Sequence, residues 1–189
     1  MTELVGILLA AGSATRFGSA KLLHPLPGGE AIGVAAARAL LSALPNSIAV
    51  VQPGDQVLIK ALSDIGLQVV ENPLAESGMG SSLAAGVHAA AGADGWLIAL
   101  ADMPWIQPAT MTVLADRLKH GASMVAPVYQ GRRGHPVGFS SRWGEQLRGL
   151  SGDTGARDLI ANYPDELELF NTVDASVLKD IDHQQDLKC

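Results

Sequence analysis

The sequence has little cysteine, few aromatic residues and no long apolar run. Its single cysteine, Cys189, excludes an internal disulfide and a metal site built from several thiolates, and this usage suits a reducing compartment. No segment approaches the roughly 20 apolar residues that span a bilayer. The first residues include the acidic Glu3 and no basic stretch, so we expect no secretory signal. These absences predict a cytoplasmic protein that does not enter a membrane.

Positive charge is also scarce. The 189 residues include 13 Lys and Arg against 19 Asp and Glu, which gives a formal net charge of −6, and no basic run forms a stripe for phosphodiesters. We therefore do not expect nucleic acid as a partner. Aromatic residues make up only 4% of the chain, so its 48% hydrophobic content comes mainly from Ala, Leu, Val and Ile. This composition favours helices alternating with buried strands over an all-β sandwich.

Apolar runs and Ala-rich stretches alternate along the chain. The strands predicted from them are 4–10, 47–51, 67–71, 95–100, 123–128, 136–140 and 168–171. The predicted helices are 31–44, 56–65, 82–91, 108–119, 142–147 and 154–162, with a short one after residue 182. This alternation predicts an α/β fold with a mostly parallel sheet and right-handed crossovers, in one domain covering residues 1–189. The short connection between the strands at 123–128 and 136–140 predicts an antiparallel hairpin.

The first candidate site is the loop LAAGSATRFGSAKL, Leu9–Leu22, which leaves the first buried strand. Glycines let a backbone approach phosphates closely, and Arg16 and Lys21 can neutralise a triphosphate as charge moves to the leaving pyrophosphate. The loop matches neither the P-loop nor the dinucleotide fingerprint. The alternative is an ordinary connection with solvated charges.

Two acidic motifs are candidates for a metal site. Asp102 follows the apolar strand at 95–100 in the motif ADMP, and a carboxylate at a strand's carboxyl end can hold Mg2+ against substrate phosphates. The motif DID, Asp180 to Asp182, can bring a second carboxylate beside it. The alternatives are a turn aspartate before Pro104 and a solvated acidic tail.

Small residues precede the third predicted helix in the motif ESGMGSSLAAG, Glu76–Gly86. Backbone and hydroxyl groups of residues 77–82 can contact a base, ribose or phosphate at a helix N-terminus. Simple N-capping by Ser77, Ser81 or Ser82 is the alternative.

Two later loops place glycine beside charged residues, GRRGHPVGF at Gly131–Phe139 and GDTGAR at Gly152–Arg157. Arginines there, among them Arg133 and Arg157, can bind an anionic acceptor, and His135 can orient it or act as a weak base. Equally, His135 can be structural, and Asp153 can cap a helix starting near residue 154.

Taken together and in this order, the motifs LAAGSATRFGSAKL, SGMGSSLAAG, LADMP, RGHPVGF, GDTGAR and DID resemble the molybdenum cofactor cytidylyltransferase branch of the MobA-like NTP transferases. The resemblance covers nearly the whole chain. It implies a Rossmann-like fold of the GT-A type. One departure is the stretch GGEAIGVAAARAL at 28–40, where the family usually has a GxPLL-like helix start.

The resemblance also implies roles for individual residues. Catalysis falls to Arg16, Lys21 and Asp102, and Mg2+ binding to Asp102 and Asp182. The implied nucleotide-binding residues are Ala10, Ala11, Gly12, Lys21, Gly78, Met79, Gly80, Ser81 and Ser82. The implied acceptor-binding residues are Arg133, His135, Asp153 and Arg157.

The reaction implied by the resemblance moves CMP from CTP to the terminal phosphate of molybdenum-loaded molybdopterin and releases pyrophosphate. Ala11, in LAAG rather than LAGG, points to CTP over GTP, and a recipient molybdoenzyme is a further expected partner. Two alternatives stay open. One is a transferase of the same fold acting on another phosphorylated acceptor such as a sugar phosphate, and the other is a non-catalytic chaperone for the molybdenum cofactor.

Overall fold

A computed structural model describes residues 3–12, 17 and 20–188. In this part of the chain, eight strands form one mixed sheet in which six strands point the same way. The strands are β1 Leu4–Ala10, β2 Ser47–Val51, β3 Gln68–Glu71, β4 Gly95–Leu100, β5 Met124–Tyr129, β6 Arg132–Arg133, β7 Val137–Ser140 and β8 Leu167–Asn171. The predicted α/β fold with a mostly parallel sheet is confirmed.

The strand order places β1 at the centre of the parallel half of the sheet. From one edge the order is β3, β2, β1, β4, β7 and β5, with β8 parallel to β5. β7 runs antiparallel to both β4 and β5, as the predicted hairpin requires. The sequence predicts a loop throughout the connection at 129–135. That prediction is wrong in one respect, because the connection contains the short strand β6, which pairs with β5.

The hairpin contains a bulge. Val125 pairs with Gly138, and Val128 pairs with Arg133. Between these two pairs the chain covers three residues along β5 but five residues from β6 to β7. The surplus falls on residues 134–136, which include a cis peptide bond between His135 and Pro136. Bulges redirect the side chains of the strand that carries them.

Helices cover both faces of the sheet. They are α1 Ile32–Ala43, α2 Gln56–Asp64, α3 Met79–Ala89, α4 Pro108–Lys119, α5 Gly144–Arg148 and α6 Arg157–Asn162. Successive residues of β1 point to opposite faces, so Leu8 joins the core under α1, α2 and α4, while Ile7 and Leu9 join the core under α3, α5 and α6. This explains why the buried strands read as continuous apolar runs.

Two predicted helix starts are wrong by three residues, and α5 begins at Gly144 rather than 142. α3 begins at Met79 rather than Ser82, because Gly78 precedes it with φ +103°, so none of the three serines is its N-cap. α6 begins at Arg157 rather than Thr154, and no side chain caps it. Within the described residues, no helix is long and apolar enough to cross a bilayer.

Candidate active site

The ends of three neighbouring strands open into one cleft of about 590 Å³. Gln52 follows β2, Ala11 and Gly12 follow β1, and Asp102 lies just beyond β4, and all four residues line the cleft. Ligands of open α/β sheets bind at this carboxyl edge, because the loops there leave the strands without covering one another. The fold therefore brings the LAAG motif after β1 and the ADMP motif after β4 together.

Lys21 lies at the floor of the cleft between two carboxylates. Its ammonium donates to Asp102 Oδ2 at 2.9 Å and to Asp182 Oδ1 at 3.5 Å. The lysine side chain is only 11% exposed, whereas those of Asp102 and Asp182 are 28% and 44% exposed. A partly desolvated cation thus joins residues that are 81 and 161 positions away in the sequence.

The segment that carries Asp182 is fastened to the end of β4. Ile181 is fully buried, and its backbone N–H donates to the carbonyl of Asp102 at 2.9 Å. Asp186 accepts from the backbone N–H groups of His183 and Asp182, and these hydrogen bonds hold the pKa of the Asp186 carboxyl below its usual value. The fold therefore places the DID motif beside the ADMP motif.

A third carboxylate belongs to this cluster. Ligand oxygens of Asp102, Asp180 and Asp182 all lie within 4.8 Å of one another. Carboxylate oxygens are the donors that Mg2+ and Mn2+ prefer, and magnesium commonly uses one or two carboxylates together with substrate phosphates. The donor set fits a hard divalent cation. The sequence drew attention to the DID segment but assigned only its second aspartate to a metal.

The residues that directly follow β1, Ala11 and Gly12, line the cleft. Gln52 donates from Nε2 to the carbonyl of Ala11 at 3.0 Å, while Ala10 and Ala11 are buried. Among the described residues, no atom lies within 4 Å of the position that a Cβ on Gly12 would take, so these residues leave its backbone accessible to a ligand. Arg16, predicted as a second phosphate clamp, lies outside the described residues.

The next wall is shaped by a buried polar network. Asn72 donates from Nδ2 to Ser81 Oγ and Ser82 Oγ at 3.1 Å, and Ser81 Oγ donates in turn to the carbonyl of Leu74 at 2.6 Å. Ser82 lines the cleft, whereas the Ser81 hydroxyl is committed to this network. Buried polar groups cost stability unless they are paired, so Ser81 fixes the shape of the loop at 72–78. Sequence reasoning missed Asn72, and its position one residue after β3 was the only available signal.

The GDTGAR loop docks on the start of α3. The backbone N–H of Gly80 donates to the carbonyl of Gly152 at 2.8 Å, and Asp153 lines the cleft next to Gly78. Met79 is 45% exposed and packs its sulfur towards Gly155. Arg157, the last residue of the motif, is exposed at the first position of α6.

The RGHP segment lies on the other side of Asp102. Because β7 is antiparallel to β4, its first residue, Val137, stands opposite Ile98, near the edge where β4 ends. His135 precedes this point, and its Nδ1 is buried without a hydrogen-bond partner among the described residues. Burial and the positive charge of Arg133 hold the pKa of His135 below its usual value, against the opposing charge of Asp102. The imidazole is therefore neutral at pH 7.

Asp174 anchors the segment that supports His135. It is buried and accepts from Gln107 N at 3.0 Å and Thr110 Oγ1 at 2.9 Å, at the start of α4. Burial alone would raise the pKa of Asp174, but the hydrogen bonds from Ser176, Gln107 and Thr110 outweigh it and hold the pKa low. Val177, three residues on, accepts from the backbone N–H of His135.

The predicted site residues thus divide between two sides of the cluster formed by Asp102, Asp180 and Asp182. The described residues of the loops predicted to bind nucleotide meet the GDTGAR loop on the side of β2 and α3. Arg133 and His135 lie on the side of β7. The two loops that the resemblance assigns to the acceptor are therefore carried by different parts of the fold.

Comparison with known proteins agrees with this architecture. The family model described as "MobA-like NTP transferase domain" matches residues 6–167. The purine catabolism protein PucB of Bacillus subtilis is 33% identical over 170 residues, covering 83% of this chain and 80% of that protein. The nicotine blue oxidoreductase of Paenarthrobacter nicotinovorans is 30% identical over 188 residues, covering 95% and 92%.

A solved structure gives the same result at the level of the fold. A nucleotidyl transferase from Methanothermobacter superposes with a TM-score of 0.83 and 25% identity, covering 97% of this chain and 94% of that one. The matched residues include most of β1 and all of α3, β4 and the β5 to β7 hairpin, and β1, α3 and β4 contribute residues that line the cleft. This chain belongs to the family of nucleotidyltransferases with a MobA-like NTP transferase domain.

Proposed function

We propose that this protein is a molybdenum cofactor cytidylyltransferase, which moves CMP from CTP to the terminal phosphate of molybdenum-loaded molybdopterin. The observation that carries the proposal is the placement of Lys21 between Asp102 and Asp182 at the floor of the cleft. A cation and a carboxylate cluster at one point suit a triphosphate and its divalent metal. The LAAG loop beside them, with Ala11 in its third position, supports CTP as the nucleotide.

The chemistry is an in-line substitution at phosphorus. An oxygen of the acceptor's terminal phosphate forms a bond to the α-phosphorus of CTP. The bond from that phosphorus to the oxygen bridging the α- and β-phosphates breaks, and pyrophosphate leaves with the electron pair. A phosphate monoester is already ionised at pH 7, so the reaction needs alignment and charge neutralisation rather than a general base.

The residues around the cleft divide this work. The ammonium of Lys21 neutralises the charge that grows on the departing pyrophosphate. Ala11 and Gly12 line the cleft directly after β1, where their backbone N–H groups can meet the phosphates. Asp102, Asp180 and Asp182 are the residues that would hold Mg2+. When bound, the metal supplies charge neutralisation and alignment of the phosphates.

The acceptor is assigned to the side of β7. Arg133 is exposed and cationic there, and His135 is held neutral beside Asp102, so the first can bind an anionic group and the second can orient it by hydrogen bonding. A recipient molybdoenzyme in the same cytoplasmic compartment completes the proposed setting.

The decisive experiment measures pyrophosphate release from CTP, GTP, ATP and UTP with Mg2+, with and without molybdenum-loaded molybdopterin. We expect release that is selective for CTP and dependent on the acceptor. The Asp102→Asn variant serves as the inactive control. Pyrophosphate release with a sugar phosphate and not with molybdopterin would show that the acceptor is a sugar phosphate instead. Tight binding of the finished dinucleotide cofactor without any release would instead favour a chaperone role.

The relative named as an oxidoreductase raises a second reaction class. It is tested in the same preparation by following the oxidation of NADH and NADPH by an added electron-accepting dye with molybdopterin-free protein. Reductase activity that survives in the Lys21→Met variant, together with no pyrophosphate release, would favour that class over nucleotidyl transfer.

A further inference from the structure

The cleft has two ends with different charge. At one end Lys21 meets the carboxylate cluster that fits a metal. Lys21 is the single cation among the described residues that line the cleft. The other end is formed by Ala75, Glu76, Gly78, Met79 and Asp153. Glu76 and Asp153 make this end acidic, so their carboxylates disfavour phosphates and suit a group that offers N–H donors.

Strand spacing sets how far apart these ends lie. β2 and β4 flank β1 in the sheet, and neighbouring strands are about 4.8 Å apart, so their ends are separated by about 10 Å. Asp102 follows β4, whereas α3 packs over β1 and β2. With its phosphates at Lys21, a nucleotide lying along the cleft carries its base towards the start of α3.

Asp153 is held at that end by the backbone. Gly80 N–H bonds the carbonyl of Gly152 at 2.8 Å, so the loop bearing Asp153 is attached to the first turn of α3. Gly78 leaves the space that the Asp153 carboxylate occupies, because a Cβ at position 78 would overlap Asp153 Oδ1. Gly78 also has φ +103°, a conformation that side chains disfavour.

We infer that Asp153 reads the nucleobase rather than the acceptor. Its exposed carboxylate is an acceptor only, and it makes no hydrogen bond or ion pair with any residue that the structure describes. A carboxylate accepts from the exocyclic amino group of cytosine and repels the carbonyl that uracil carries at the same ring position. Met79, exposed beside it, offers an apolar surface to the ring. This inference rests on the proposed function, because it requires a nucleotide in the cleft.

The test is equilibrium binding of CTP and UTP with Mg2+ by calorimetry, without any acceptor. We expect wild type to prefer CTP, and Asp153→Asn to reduce the CTP-to-UTP affinity ratio by about tenfold or more, since an amide can face either base. Asp165→Asn, an exposed carboxylate that does not line the cleft, should leave the ratio unchanged.

The outcomes separate the inference from the proposed function. CTP binding with an unchanged ratio in Asp153→Asn overturns the base-reading role alone. That role is also overturned if Glu76→Gln shifts the ratio and Asp153→Asn does not, because Glu76 lines the same end. A rise in the acceptor KM of Asp153→Asn with an unchanged nucleotide ratio returns Asp153 to the acceptor. Failure of wild type to bind any NTP overturns both proposals.

Discussion

Replacing Lys21 by methionine should tighten the binding of a divalent cation to the protein without nucleotide. The ammonium of Lys21 stands 2.9 Å from Asp102 Oδ2 and 3.5 Å from Asp182 Oδ1, two of the three carboxylates that fit a metal. A cation that binds these oxygens must approach or displace the ammonium. Methionine keeps most of the buried stem of the lysine and removes only the charge.

The size of the effect follows from Coulomb's law. A dication and an ammonium that share the same carboxylates stand roughly 4 Å apart, and their repulsion is about 2 kcal/mol at a water-like dielectric constant. That value is the appropriate end of the range, because Asp102 and Asp182 are 28% and 44% exposed. The corresponding change in dissociation constant is about thirtyfold.

The assay is a titration with Mn2+, in which electron paramagnetic resonance reports the free ion. Turnover in the same variant should fall, because the charge is needed at the triphosphate, so affinity and activity should move in opposite directions. Lys60→Met is the matched control, since Lys60 is paired with Asp64 on the exposed face of α2. Equal or weaker Mn2+ binding in Lys21→Met would refute the idea that the lysine competes with the metal.

Three further substitutions test the site and its support. Asp102→Asn should lower kcat/KM by about 100-fold or more while circular dichroism stays unchanged. Gly80→Ala should lower the free energy of unfolding in urea by about 1–3 kcal/mol, because its Cβ would lie 2.7 Å from the Ser151 backbone, whereas Gly92→Ala meets no atom within 4 Å and should change it by less than about 0.5 kcal/mol. Asp174→Asn should cost about 1–3 kcal/mol at pH 7. Since the pKa of Asp174 is lowered in the folded state, its charge stabilises the fold above the unfolded value near 4, and unfolding measured against pH should show this difference shrinking below about pH 4.

Much of the fold follows directly from local sequence. The strands at Leu4–Ala10, Ser47–Val51 and Gly95–Leu100 and the helix at Pro108–Lys119 have the bounds that the sequence predicts. Strands buried on both faces must be apolar at every position, and Pro near a helix start and Gly after its end are local signals. Two of these strands, Leu4–Ala10 and Gly95–Leu100, end at the cleft, and Asp102 lies just after the second.

The errors lie where a local pattern has a tertiary explanation. The serines at 81 and 82 resemble caps, but Asn72 donates to both hydroxyls inside the first turns of α3, and Gly78 is the N-cap instead. The short strand β6 depends on its partner β5, and two residues alone carry no strand pattern. Asp180 could not be assigned to a metal, since its nearness to Asp102 results from the contact between Ile181 and the end of β4.

Because β7 runs antiparallel to β5, the turn that joins them can vary without disturbing the rest of the fold. Residues 130–136 reach the edge beside Asp102 from one hairpin turn, with no crossover helix to keep in place. Each doubling of a loop's length costs only about 0.6 kcal/mol of closure entropy. Insertions at this turn can therefore reshape the surface beside Asp102 while β1, β2 and α3 retain their packing. In a lineage or a designed library, this turn is where diversity is least costly to the rest of the molecule.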